Sequence, residues 1–223
     1  GLSYVYLAAE ALWVLDGDDR VDTIALYNER LREFSDDGET FFGAYGPRIT
    51  AQLPYVVKKL NADFDTRQAV ITTWRPSPPM TRDIPCTVAL AFQARNGRLN
   101  AHVFMRSSDL WLGWPYDVFT FAVVTTTVCQ RLNLILNQER AMIRPGALYL
   151  TAASSHLYEK NWQNADVCSR ELEEIEIEPL PASLCDGCTG EAELRASLIA
   201  CRDKHDGQRM QPWIIRPGIR RAS

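Results

Sequence analysis

The chain has 223 residues, 46% of them hydrophobic and 23% charged, with a formal net charge of -4. That is enough apolar material for one sizeable core, and the acidic balance argues against a general nucleic-acid binder while leaving room for a local basic pocket that takes a small phosphate. The longest apolar run, near Val118 to Cys129, is threonine-rich and stops at Gln130, so a membrane span is not expected, and six scattered cysteines suit a reducing, cytoplasmic setting better than a disulfide scaffold.

From Leu2 to Leu15 apolar residues recur at helical spacing until Gly17, among aspartates, breaks the pattern. Thr23 to Phe34 predicts a second helix closed by Ser35-Asp36-Asp37-Gly38, and Gln52 to Leu60 a third. Ala69 to Trp74 is β-branched and predicts a strand, followed by a proline-rich loop from Arg75 to Pro85. Thr87 to Gln93 and Leu99 to Arg106 predict two strands around Asn96-Gly97, the strongest short signal for a tight hairpin. Tyr116 to Leu136 has helical length and puts Asp117 at a helix start, where a carboxylate is favoured. Ala147 to Ala152 predicts another strand, Ser154-Ser155-His156 leads into a polar helix, Glu171 to Glu178 alternates like an exposed strand, and Thr189 to Ala200 reads as a helix. The mixture predicts an α+β fold with a mixed sheet.

The chemistry centres on Cys86. It follows Pro85 at the end of the proline-rich loop and enters a strand, where a thiol can stay accessible and be activated by a cation. The hairpin can bring Arg106 and Ser107 to the same end of the sheet. An arginine fork and a hydroxyl suit a phosphate, and the same cation favours a thiolate. A lone cysteine is more often a small buried hydrophobe, and a lone arginine a solvated charge; the pairing is what points to a site.

Taken in order, EALWVLDGDD (10 to 19), GAYG (43 to 46), DTRQ (65 to 68), DIPCT (83 to 87), MRSSDLWLGWPYD (105 to 117) and SSHLY (154 to 158) resemble the thymidylate synthase superfamily. The family motifs there read approximately E-L-L-W-F-L-x-G-D-T, G-P-V-Y-G, D-S-R-R, L-x-P-C-H, Q-R-S-x-D-x-F-L-G-x-P-F-N and D-A-H-I-Y. The resemblance implies a single catalytic domain over 1-223 with a mixed sheet packed by helices, the sheet forming the interface of a homodimer with shared sites. The family's N-terminal arginine loop has no counterpart, and the chain opens on Gly1, so further residues are expected upstream.

The same resemblance implies roles. Cys86 is the nucleophile that adds to C6 of a pyrimidine nucleotide. Glu10 organises water and protons around the base, and Tyr45 belongs to the network near C5. Arg106 and Ser107 hold the 5′-phosphate, with Arg67 reaching it from the other subunit. His156 and Tyr158 bind the sugar hydroxyl. Asp109, Leu112, Gly113 and Tyr116 lie along the folate, 5,10-methylenetetrahydrofolate, which serves as co-substrate.

Departures from the family refine the expectation. Asp117 stands where synthases acting on uracil have asparagine. An amide donates to O4 and accepts from N3-H, whereas a carboxylate accepts from the 4-amino group of cytosine. The family's cytidylate hydroxymethylases carry the same change, so the expected substrate is a cytosine nucleotide monophosphate, with ribose and deoxyribose both open. The family's indole-rich segment, which shields the methylene intermediate, reads LYNERLREF (26 to 34) here and has no tryptophan. Water reaching that carbon gives a 5-hydroxymethyl product. Met105, Gln68 and Thr87 replace the family's glutamine, second arginine and histidine, and the tail IIRPGIRRAS differs from the family's apolar carboxy-terminus.

Outside the resemblance, Cys185-x2-Cys188 with Cys201-x3-His205 has the spacing of a small zinc site. The intervening segment reads as an ordinary helix, so incidental cysteines are expected and no metal is assigned. The leading expectation is thus a folate-dependent cytidylate 5-hydroxymethylase. A methylating synthase of the same fold and a non-catalytic nucleotide-binding relative are the alternatives.

Overall fold

A computed structural model describes residues 2–136, 142–172 and 190–203. Its first helix, α1 (Tyr4–Leu15), is apolar on almost every side and runs through the core, with Leu7, Ala8, Ala11, Leu12 and Val14 all buried. The Ser3 hydroxyl caps it by accepting from the Tyr6 N–H at 3.3 Å. Its end is a glycine stop: Gly17 has φ +67°, the Gly17 N–H reaches the Val14 carbonyl, and the Asp18 N–H reaches that of Trp13.

Short α2 (Val21–Ala25) follows, then a separate 3-10 turn over Glu29–Phe34. The expected continuous second helix is therefore broken at Asn28, whose extended backbone (φ −152°, ψ 91°) caps the turn. The third helix, α3 (Tyr45–Ala62), is longer than expected. Its first turn takes in Gly46-Pro47, where the missing proline N–H costs nothing, and Pro54 is carried within it.

Four strands, β1 (Val70–Thr72), β2 (Thr87–Arg95), β3 (Arg98–Met105) and β5 (Arg144–Ala152), lie side by side in that order as the main sheet. The first three are antiparallel, and β3 pairs with β5 in parallel across the connecting helix, α4 (Trp114–Ile135). Asn96 (φ 51°) and Gly97 (φ 72°) are both left-handed, which is the two-residue turn expected of Asn-Gly. One sheet face, with Leu90, Phe92, Leu99, Ala101 and Val103, is buried in the main core with residues of α1, α3 and α4. The other presents His102, Phe104 and Tyr149, with the His102 and Tyr149 rings stacked at 4.6 Å and both Phe104 and Tyr149 largely exposed. Two short strands, β4 (Ser108–Asp109) and β6 (Ser155–His156), extend this end of the parallel pair.

The helix α4 runs past Gln130, so it is long and apolar enough to cross a membrane by length and composition, contrary to expectation; yet 61% of its most apolar window is buried inside the fold. Its threonines are tolerated there because Thr125 and Thr127 donate to the carbonyls of Phe121 and Val123, four residues back. The polar helix after His156 is α5 (Trp162–Leu172), which takes in Glu171 and Leu172; the rest of the segment expected as an exposed strand lies outside the described residues. The last described helix, α6 (Glu191–Asp203), is pinned to α1 by Arg195, which donates to Asp16 and to the Leu15 carbonyl.

Candidate active site

Cys86 stands immediately before β2 and is only half-buried. The hairpin register, Thr87 opposite Met105, places Arg106 beside it: the Arg106 N–H donates to the Cys86 carbonyl at 2.8 Å. Its guanidinium turns back over the same loop, donating to the carbonyls of Pro85 at 3.0 Å and Ile84 at 2.8 Å, with Nη2 3.8 Å from the Cys86 sulfur. Burial pushes the Cys86 thiol pKa up, Arg106 pulls it down, and Asp117 and Asp83 push it up again. The expected thiol–guanidinium pair is present.

A second set of bonds fixes the loop. The Asp83 carboxylate accepts from the Gly43 N–H at 2.7 Å, and a side chain on Gly43 would run into the Asp83 backbone oxygen at 2.6 Å, so only glycine allows this approach. The Tyr45 phenol oxygen accepts from the Thr87 N–H at 3.1 Å, which sets that ring against the residue following the thiol. Burial raises the Tyr45 pKa, and the charges of Asp117 and Cys86 raise it further.

The opposite wall is built by helices. Asp117 sits in the first turn of α4 beside Gly113, and its pKa is pushed up to about 8, first by burial and then by the charge of Glu10. Among the described residues no group donates to its carboxyl. Glu10, on α1, is also raised by burial, while donation from Tyr6 to Oε1 at 2.8 Å and from Thr120 to Oε2 at 3.3 Å pulls it back. Cys86, Tyr45 and Asp117 are thus near enough to feel one another's charge, and Glu10 joins them through Asp117.

The other expected residues lie on β4, β6 and the loops beside them, on the first turn of α4, and ahead of β1. β4 pairs with β6, setting His156 beside Asp109, and the His156 and Tyr158 rings meet edge-on at 5.1 Å. Ser107 precedes β4 and is half-buried. The Asp109 carboxylate accepts from the Trp111 and Leu112 N–H groups and so shapes a turn whose Leu110, Leu112 and Trp114 side chains are exposed. Tyr116 packs edge-on against Tyr6 at 4.9 Å, and its hydroxyl accepts from the Ser3 N–H. Arg67 is exposed ahead of β1 and pairs with no site group among the described residues, while Gln68 accepts from Lys59.

Sequence reasoning missed Tyr6, Thr120, Asp83 and Gly43. Tyr6 alone left a usable signal, lying four residues before Glu10 on the same helix face. Of the zinc spacing, Cys185, Cys188 and His205 lie outside the described residues, and the Cys201 sulfur is 3.6 Å from the Tyr4 carbonyl.

Comparison with known proteins places these features in context. Residues 4–182 match a family model described as thymidylate synthase. A deoxyuridylate hydroxymethyltransferase of Bacillus phage SP01 is 31% identical over 173 residues, 69% of this chain and 43% of that protein. Another, of Pseudomonas phage M6, is 32% identical over 161 residues, 68% of this chain and again 43% of the relative. The chain thus spans less than half the length of these curated relatives. A solved thermostable thymidylate synthase A from Bacillus subtilis shares the fold with a TM-score of 0.60 at 19% identity, over 73% of this chain and 60% of that one.

Proposed function

Because this chain belongs to the thymidylate synthase family, we propose that it transfers a one-carbon unit from 5,10-methylenetetrahydrofolate to C5 of a pyrimidine nucleotide and releases a 5-hydroxymethyl product. The observation that carries this is the closed set of Cys86, Tyr45, Asp117 and Glu10, each linked by charge to another of the set, with Arg106 at the thiol. Cys86 bonds to C6 and is released at the end, so C5 gains nucleophilic character while the bond lasts. Glu10 and Tyr45 handle the proton lost from C5 and the one lost from water. Arg106 and Ser107 take the phosphate, and His156 and Tyr158 the sugar.

The folate supplies its carbon at the formaldehyde level, so nucleotide, methylenetetrahydrofolate and water give hydroxymethyl nucleotide and tetrahydrofolate with no net redox change. The exposed apolar turn of Leu110, Leu112 and Trp114 suits a flat ring, and Asp109, Leu112, Gly113 and Tyr116 are the residues that would hold it. Hydroxymethylation rather than methylation is supported by the 26–34 segment without tryptophan and by the relatives, which are named as hydroxymethyltransferases.

The base is assigned as cytosine on Asp117. With its pKa at about 8 the carboxyl is neutral at pH 7, and it can then donate to N3 and accept from the 4-amino group. The second reading is uracil, favoured by the relatives' names, which specify deoxyuridylate; a neutral carboxyl can also donate to O4 and accept from N3-H. The exposed sheet face with Phe104 and Tyr149 supports a homodimer, in which Arg67 of one subunit completes the phosphate site of the other. A reduced thiol at Cys86 suits a cytoplasmic enzyme. The deciding experiment incubates the protein with methylenetetrahydrofolate and CMP, dCMP, UMP or dUMP and records product masses. A gain of one hydroxymethyl group on a cytosine nucleotide is expected. A methyl gain with dihydrofolate absorbance, a uracil-only reaction, or no product on any nucleotide overturns the corresponding part.

A further inference from the structure

Glu10 is held from two sides by groups that the one-carbon reading does not use. On its own helix, Tyr6 donates to Oε1 at 2.8 Å; from α4, Thr120 donates to Oε2 at 3.3 Å. The Tyr6 ring is buried and braced edge-on by Tyr116 at 4.9 Å, so its hydroxyl has little freedom to leave the carboxyl. The Asn28 side chain lies near enough to the Tyr6 oxygen to favour the ionised phenol. Asn28 caps the 3-10 turn Glu29–Phe34 and is half-buried near the surface. A continuous line thus runs Asn28, Tyr6, Glu10. Among the described residues the remaining charge facing Glu10 is Asp117, on α4; the ion pair that α6 makes with α1 is at the far end, on Asp16.

We propose that Tyr6 is a positioning residue for Glu10: its phenol fixes one carboxyl oxygen toward the base and links it, through Asn28, to the 3-10 turn Glu29–Phe34. The inference deepens the functional reading and rests on Glu10 handling protons there. Two hydrogen bonds to the ionised form work against the rise that burial causes, so Glu10 stays ionised, and able to accept a proton, at a lower pH than an unassisted carboxyl between α1 and Asp117. Asn28, by favouring the ionised phenol, makes Tyr6 a stronger donor and transmits that effect to the carboxyl.

The test reads protonation directly and needs no turnover. In the full chain without nucleotide, the infrared carboxyl band that disappears in Glu10→Gln is titrated against pH. Tyr6→Phe, which removes only an oxygen, should raise its midpoint by about one pH unit, a tenfold change in protonation constant. Thr120→Val should move it in the same direction from the other oxygen, and Asn28→Ala by less. An unmoved midpoint in Tyr6→Phe overturns the inference, leaving the phenol as packing. Release of tritium from C5 of the labelled nucleotide is followed in parallel. Absence of tritium release in the wild type with the midpoint still shifting sinks the functional reading and keeps the positioning role; normal release with no shift does the reverse.

Discussion

The thiol end of the site is held by a guanidinium lying across backbone carbonyls, whereas the base end is held by two carboxyls that disfavour each other's charge. At the first, the sheet dictates position: the Asn96-Gly97 hairpin brings the two strand ends together, the bulge between Thr87 and Ala89 sets Arg106 beside Cys86, and the Nε and Nη2 donors of Arg106 already have acceptors. At the second, α1 and α4 bring Glu10 and Asp117 together, and among the described residues the only stabilising donors on either are Tyr6 and Thr120. The thiol end is therefore preorganised and contains a permanent cation. The base end is poised between protonation states, and it is where pH and substrate identity should be felt.

The largest effect expected tests the thiol end. Cys86→Ser should reduce C5 tritium release by about a thousandfold or more while nucleotide binding stays within about tenfold, because a hydroxyl is a poor nucleophile at neutral pH. Release at the wild-type rate would remove Cys86 from the chemistry and leave the Arg106 contact as structural. Next in size is the proposed contribution of the partner. Arg67→Ala alone should lower activity by about ten- to a hundredfold, the scale of one charge-assisted contact. Mixing Arg67→Ala subunits with Cys86→Ser subunits should then restore activity through the one heterodimer site with both residues intact. No recovery after verified subunit exchange places Arg67 in its own subunit's site or outside any site.

At the base end, Asp117→Asn should shift the ratio of efficiencies from cytosine toward uracil nucleotides by about tenfold or more, since a mismatched buried hydrogen bond costs about 1 to 3 kcal/mol. The contrast between the two ends also predicts a pH signature: the efficiency of the wild type should fall as pH rises through about 8, where Asp117 ionises and loses the donor that N3 of cytosine, or O4 of uracil, needs. The Asp117→Asn protein should show no such step. A ratio that ignores the substitution, with an efficiency that shows no step at about pH 8, would mean that Asp117 does not read the base.

The two ends also differ in how far they were legible in the sequence. Asn-Gly between alternating strands specifies a register from Arg95 opposite Arg98 to Ala89 opposite Phe104, so the arrival of Arg106 at the Cys86 end of the sheet could be read from the sequence, but the bulge between Thr87 and Ala89 that brings the two side by side could not. The broken second helix could not: apolar spacing continues through Leu26 to Phe34, and only the extended backbone at Asn28 divides α2 from the 3-10 turn. The early start of α3 was hidden by Gly46-Pro47, residues that stop a helix in its interior but are tolerated in its first turn. Glu10 and Asp117 were recognised through motif resemblance, but their mutual effect depends on how two helices pack, which periodicity does not encode. Asp83 and Gly43 open two of the quoted motifs, DIPCT and GAYG, yet were given no role, because neither motif alone shows a bond between segments forty residues apart.

The smallest effect concerns stability and separates burial from function at Asp117. A carboxyl whose folded pKa is about 8 and whose unfolded pKa is near 3.8 is neutral in the fold while the unfolded chain ionises. Its contribution is therefore fully present below about pH 4 and is lost progressively as pH rises toward 8, after which the cost is constant. Asparagine does not titrate, so Asp117→Asn should match the wild type near pH 4 and become the more stable protein by on the order of 1 to 3 kcal/mol at about pH 8 and above, the cleft's contact with solvent keeping the gain below the full linkage value. Denaturant melts at a series of pH values measure it. Cys86→Ser should show no comparable rise, because the groups at the thiol end are held by a cation and backbone oxygens that do not titrate in this range. An Asp117→Asn protein no more stable than the wild type at about pH 8 would show that the carboxyl ionises without penalty, and the neutral-carboxyl account of base recognition would then have to give way to recognition by a carboxylate.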